Sequence, residues 1–185
     1  MRCSLVDFEE GGYYHVYNHA VEGLDLYREK ADYEYYVNKM EKYFNKSMIE
    51  ICNWCLMSNH FHFLVFQKSE EPVSNVFNSL NLSYVNHYNR KYVRKGKLFR
   101  DRLQHKRIIG NFYLLNISLY IHGNPVKDGF VGEASKWEYS DYKKWVNGSN
   151  VRLRDEIFKL SKEEYAQMVD EYCEQYGNLL VNNEK

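Results

Sequence analysis

The stretch MIEICNWCLMSNHFHFLVF, residues 48–66, decides the fold. Residues 48–57 and 61–66 are apolar runs with strand character, and only Ser58, Asn59 and His60 part them. Two such runs joined by so short a polar break read as neighbouring antiparallel strands. Where the second run begins, His60 and His62 are two apart. On a strand they point to one face, roughly 7 Å apart along it, while Phe61 and Phe63 take the other. Two neutral imidazoles there can grip one metal ion from one side, given a further ligand from elsewhere. A buried histidine is also a common hydrogen-bonded core residue, and spacing leaves the two roles level.

Working outward, residues 13–18, YYHVYN, read as a strand. Residues 32–46 carry Tyr33, Tyr36, Val37, Met40, Tyr43 and Phe44 at helical spacing, with Asp32 placed to cap the start. Pro72 opens a long helix to about Tyr92, and Gly96 ends that pattern. Residues 103–108 form a fourth strand with charges on one face. Asn111 caps a helix that runs to about Gly123, where Pro125 stops it. From Arg152 to Leu180 the chain reads as a helical, acidic appendage, and Ser161 with Glu164 fits a capping box. The order β-α-β-β-α-β-α predicts an α+β fold: a four- to five-stranded antiparallel sheet with helices mainly on one face. The expected organisation is a domain over residues 1–147 and a helical extension of it over 148–185.

The 185 residues are enough for a hydrophobic core, and an aromatic content of 17% excludes a disordered chain. No apolar run reaches the roughly 18 residues of a membrane span, and the first twenty residues lack the apolar core of a signal peptide. The four cysteines, Cys3, Cys52, Cys55 and Cys173, then fit a reduced, cytoplasmic protein. Cys52 and Cys55 form CNWC, and a zinc site with the nearby histidines is conceivable. Against it, residues three apart on a strand face opposite ways, and no Gly or Pro supplies a knuckle. Two small buried side chains are the simpler reading.

Net charge is zero, but its distribution is uneven. Arg90, Lys91, Arg94, Lys95, Lys97, Arg100, Arg102, Lys106 and Arg107 crowd one segment against a single acid, Asp101. Such a segment is either a solvated face or a positive surface for nucleic acid. In NFYLLNISLYIHG, residues 111–123, Leu115, Leu119 and His122 share a side that looks like core. Tyr113, Asn116, Tyr120 and Asn124 share another, placing a phenol and an amide one turn apart. With 18 tyrosines in the chain, Tyr120 is structural by default on spacing alone.

Together, LMSNHFHFLV and YIHGNPVKDGFV resemble the single-tyrosine transposases of the HUH superfamily, with the branch associated with repetitive extragenic palindromes especially similar. YYHVYNHAVEG is similar to the family's first strand, KGKLFRDRLQHKRI to its basic segment, and WEYSDYKKW to the piece after the tyrosine helix. The likeness spans roughly Gly12 to Trp145. It implies that His60 and His62 hold a divalent metal, that Tyr120 is the nucleophile, and that Asn124 is a further ligand. At His19 the family usually has Arg.

The resemblance implies cleavage and rejoining of single-stranded DNA near hairpins through a 5′-phosphotyrosine, that is, DNA transposition or recombination. Mg²⁺ or Mn²⁺ suits phosphate, and two imidazoles favour Mn²⁺. The basic run would hold the DNA backbone. The expected setting is bacterial, cytoplasmic and nucleoid-associated, with no membrane partner. Some relatives are dimers and others monomers, so a homodimer is allowed. Competing readings are a domesticated hairpin-DNA-binding protein that no longer cleaves, a replication or transfer nickase of the HUH type, and a zinc protein built on Cys52 and Cys55.

Overall fold

The computed structural model describes residues 8–182, with side chains to residue 175. Strands β1 (Tyr13–His19), β2 (Ile49–Leu56), β3 (His60–Gln67) and β4 (Gln104–Ile108) form one four-stranded sheet in the order β2-β3-β1-β4. Helices α1 (Lys30–Phe44) and α2 (Val73–Lys91) fall between strands. After the last strand come α3 (Asn111–Lys127), α4 (Tyr142–Asn147) and α5 (Lys162–Asn182), with a 3-10 turn at Ala134–Lys136 and a π-helical turn at Leu153–Phe158. The fold is α+β, as the element pattern predicts.

The residues group into two compact units. One holds the chain up to Ile51 with Leu56–Ile108, the other Cys52–Cys55 with the chain from Ile109 onward. Residues 148–182 group with α3 in the second unit.

In the first unit β1 pairs antiparallel with both β3 and β4. The register sets Tyr17 against His62 and His19 against His60. Side chains alternate across a sheet. One face therefore carries His15, Tyr17, His19, His60 and His62, and the other carries Tyr14, Val16, Phe61 and Phe63. The second face is core. Phe61 lies 5.9 Å from the Tyr36 ring, and Phe63 lies 5.1 Å from Phe77 and 6.4 Å from Phe44, so α1 and α2 pack there. Several tyrosines are built into this core, and two of them give their hydroxyls to backbone carbonyls. Tyr84 donates to Leu26 at 2.5 Å and Tyr88 to Asp25 at 2.8 Å.

Asp32 is not the N-cap expected of it, since α1 starts two residues earlier with Glu29 as N-cap and Asp32 at its third position. From there it accepts the Arg28 and Glu29 amides at 2.9 and 3.3 Å. It also takes Lys91 Nζ at 2.5 Å and the Tyr92 hydroxyl at 2.7 Å. The end of α2 is thereby tied to the start of α1. Burial of the carboxyl works to raise its pKa. The bonds from Lys91, Tyr92 and the Arg28 amide, with the Lys91 charge, outweigh this and lower it.

In the second unit, two expected boundaries shift. Gly110, not Asn111, is the N-cap of α3, at φ 85°, where a side chain would be strained. Pro125 lies inside the helix instead of stopping it. A proline inside a helix removes its own N–H from the ladder and crowds the carbonyl four residues before it. Here the final turn is closed by Asp128 N–H to Asn124 and Phe130 N–H to Pro125, both at 2.9 Å. Helix α5 opens with the foreseen capping box: Glu164 N–H donates to Ser161 Oγ at 3.0 Å and Ser161 N–H to Glu164 at 2.7 Å. Its Tyr165, Val169 and Cys173, at helical spacing, are buried. It packs on α3 at Gly123, where a Cβ would stand 2.9 Å from the Tyr172 ring and 3.2 Å from Cys173 Sγ.

Candidate functional site

His60 and His62 are 7% and 3% exposed, on the sheet face opposite the phenylalanine core. Their rings stand 4.9 Å apart and nearly edge to face. Each Nδ1 has a near neighbour. His60 Nδ1 lies 2.7 Å from Asn59 Oδ1, and His62 Nδ1 lies 3.1 Å from His15 Nε2. Asn59 Oδ1 only accepts, so His60 Nδ1 carries the proton and Nε2 the lone pair. Burial, then the charge of Lys106, lowers the His15 pKa to about 4, so that ring is neutral at pH 7. His19, where the family usually has Arg, stacks on His60 with centroids 4.9 Å apart. Two fixed imidazoles on one face are a donor set that suits a divalent ion. Among the described residues no three His, Cys, Asp or Glu side chains form a group able to hold a metal.

Tyr120 and Asn124 belong to the second unit, on α3. Tyr120 is half-buried, with Lys127 Nζ 5.2 Å from its ring centroid. Asn124, one turn on, is 1% exposed. Between them His122 is fully buried and is more than core filling. Its Nδ1 lies 2.8 Å from the Tyr165 hydroxyl of α5, and its Nε2 lies 3.0 Å from Asp141 Oδ1 at the start of α4. Asp141 also accepts the Trp54 amide of β2 at 2.7 Å. In β2, Asn53 Oδ1 accepts the Ser118 hydroxyl of α3 at 3.2 Å. The helix that carries Tyr120 is thus held by polar contacts from β2, α4 and α5. Spacing marked the His122 face as apolar, because it cannot reveal partners as distant as Asp141 and Tyr165.

Cys52 and Cys55 are buried thiols, not joined in a disulfide. Burial, with the charges of Asp141 and Asp128, pushes the Cys55 pKa well up, as for a small buried side chain. Cys3 lies outside the described residues.

The basic run divides into two classes. Lys91 sits 2.5 Å from Asp32 and 2.7 Å from Glu29 and serves the fold. Arg94 reaches Asn89 at 3.0 Å and the Lys97 carbonyl at 2.5 Å, shaping the loop after α2. Arg107 pairs with Glu9 at 2.5 Å, and Arg100 with Asp101 at 2.9 Å. Arg90, Lys95, Lys97, Arg100, Arg102 and Lys106 are exposed.

The family described as "Transposase IS200 like" matches residues 12–124, more than half of the chain. No curated protein matches the sequence. Among solved structures, a REP-associated tyrosine transposase bound to a REP hairpin superposes with a TM-score of 0.69 at 18% identity. The match covers 79% of this chain and 86% of that one, and at that identity it speaks for the shared fold. The histidine pair on its strand, the tyrosine on its helix and the family match over both lead to one conclusion: the chain belongs to the IS200-like transposases.

Proposed function

We propose that this protein cleaves and rejoins single-stranded DNA beside hairpins, with Tyr120 as nucleophile and His60, His62 and Asn124 as the holders of a Mg²⁺ or Mn²⁺ ion. The observation that carries the reading is the His60–His62 pair, buried on one sheet face with both Nδ1 atoms engaged. With its Nδ1–H given to Asn59, His60 carries its lone pair on Nε2, the atom this reading assigns to the metal, and the family match supplies the context.

In this reading Tyr120 Oη attacks a backbone phosphorus. A P–O bond to the phenol forms and the P–O3′ bond breaks, leaving a 5′-phosphotyrosine and a 3′-hydroxyl. The phenol proton leaves and the 3′ oxygen gains one. The new ester conserves the energy of the broken linkage, so a second strand's 3′-hydroxyl reverses the step without ATP. A bound divalent ion would polarise the phosphate and offset charge that grows in the transition state. His60 and His62 would be its ligands, with Asn59 and His15 beside their Nδ1 atoms. Arg90, Lys95, Lys97, Arg100, Arg102 and Lys106 contribute a salt-dependent grip on the DNA backbone. A hairpin partner is consistent with the REP hairpin bound to the structural neighbour.

The test is a labelled hairpin oligonucleotide with a single-stranded flank, incubated with the protein and Mn²⁺. The expected product is an SDS-resistant adduct that Tyr120→Phe abolishes while hairpin binding persists. An adduct that survives Tyr120→Phe would sink the assignment. Tight binding with no adduct from the unaltered protein would favour a hairpin-binding protein that has lost cleavage.

A further inference from the structure

The nitrogen that His62 presents depends on a proton whose position is set by its neighbour. His62 Nδ1 and His15 Nε2 are 3.1 Å apart, both residues are more than nine-tenths buried, and the rings lie 5.1 Å apart at 30°. One proton serves that contact. If His15 donates it, the neutral His62 ring carries its own proton on Nε2 and offers no lone pair there. If His62 donates it, the lone pair is on Nε2 and that atom can act as a metal ligand.

We propose that His15 is a positioning residue for His62. Its Nε2 accepts the Nδ1–H of His62 and thereby fixes the tautomer in which His62 Nε2 is the metal-binding atom. The inference rests on the reading of His62 as a metal ligand. Two features of the sheet favour this direction. Asn59 Oδ1, which only accepts, stands against Nδ1 of the companion histidine His60 at 2.7 Å, so the two rings would match and present the same nitrogen. His15 is also held in place. It lies on β1 between β3 and β4, opposite Leu64 and Lys106, and its ring stacks on Tyr17 at 5.0 Å. A diagonal pair on adjacent strands is within reach of side chains this long. Partners of this kind orient a ligating histidine and raise its basicity, and losing one typically costs about 10–100-fold in metal affinity.

The direct test is long-range ¹H–¹⁵N correlation NMR of the imidazoles in the full-length, metal-free protein at neutral pH. The expected result is His62 protonated on Nδ1 and unprotonated on Nε2. A His62 ring protonated on Nε2 overturns the proposal without recourse to any variant. Mn²⁺ binding, read by calorimetry on the metal alone, gives the second arm. His15→Leu should weaken it about 10–100-fold with the circular dichroism unchanged, and His15→Gln, whose carbonyl can accept the same proton, should recover most of the loss. Equal Mn²⁺ affinity in folded His15→Leu and the unaltered protein overturns the proposal. If the Leu variant does not fold, the NMR result decides. If the unaltered protein takes up no Mn²⁺, the ligand reading of His62 fails, and the tautomer still stands or falls on the spectrum.

Discussion

Replacing His122 by Phe tests how the tyrosine helix is held. The ring shape survives, but two polar contacts in a fully buried place are lost: the acceptor of the Tyr165 hydroxyl at 2.8 Å and the partner of Asp141 at 3.0 Å. His122 Nε2 also lies 3.4 Å from the Asn53 amide. One nitrogen cannot donate to the carboxylate and accept from an amide at once, so the closer, charged partner takes it. A buried polar group left without its partner costs about 1–3 kcal/mol. Both groups keep something: Asp141 retains the Trp54 amide, and Asn53 also hydrogen-bonds the Tyr165 hydroxyl. The lower half of the range then applies to each, and the expected loss for His122→Phe is about 2–4 kcal/mol.

A double-mutant cycle separates the network from simple packing. Tyr165→Phe alone removes the hydroxyl and leaves His122 Nδ1 without its donor, at about 1–2 kcal/mol. The double variant has no hydroxyl to orphan. Its loss should fall short of the sum of the singles by at least about 2 kcal/mol, above the 0.3–0.5 kcal/mol within which independent sites add. The assay is urea unfolding of the full chain followed by circular dichroism, at constant m. Additive losses would refute the coupling. So would a His122→Phe loss below about 0.5 kcal/mol, the size of an ordinary surface change.

Three more outcomes follow from the packing and the charges. Gly123→Ala gains about 1 kcal/mol of helix propensity but sets a Cβ 2.9 Å from the Tyr172 ring. Overpacking costs about 1–3 kcal/mol, so a net Tm fall of about 2–4 °C is expected, and a rise would refute the close approach of α5. Asp32 has its folded pKa below its unfolded value of about 4. Its contribution is present above that value and lost as pH falls through the lower, folded one, so Asp32→Asn should flatten the acid limb of a urea-midpoint profile below the unfolded value. Arg102→Ala should reduce the slope of log affinity for single-stranded DNA against log salt by about 0.7, whereas Lys91→Ala should lower unfolding stability and leave that slope nearly unchanged, and equal slope changes would contradict the division of the basic run.

How much of this was legible in the sequence depended on the range of the interaction. The hairpin at Ser58–His60, the entry of α2 at Pro72 and the capping box at Ser161 and Glu164 are decided by residues within a turn of each other, and each is read from local pattern. The shared face of His60 and His62 follows from the two-residue period of a strand. Asp32 was partly legible: its place at the start of α1 is local, but its bonds to Lys91 and Tyr92 cross about sixty residues. Pro125 misled because local rules count the lost N–H and not the bonds that close the turn beyond it. His15 was invisible as a partner of His62. Only the register of β1 on β3 brings residues 47 apart to 3.1 Å, and a slip of one residue would send His15 to the opposite face.

The same distinction applies to charge. A chain of zero net charge argues weakly against a nucleic-acid partner, since affinity for a phosphate backbone grows with the cations that meet it. What the backbone meets is not the sum over the chain. Asp32 and Glu29 neutralise Lys91 within the fold, and Glu9 does the same for Arg107. Acids of α5 such as Glu163, Glu164 and Glu174 lie outside the basic segment. Arg90, Lys95, Lys97, Arg100, Arg102 and Lys106 remain exposed, with Asp101, paired to Arg100, as the acid among them. A Debye length of about 8 Å at physiological salt limits the reach of any one exposed charge. The affinity for DNA should therefore follow this segment and not the total, and reversing Arg102 to Glu should weaken DNA binding more than adding one acid to the exposed face of α5.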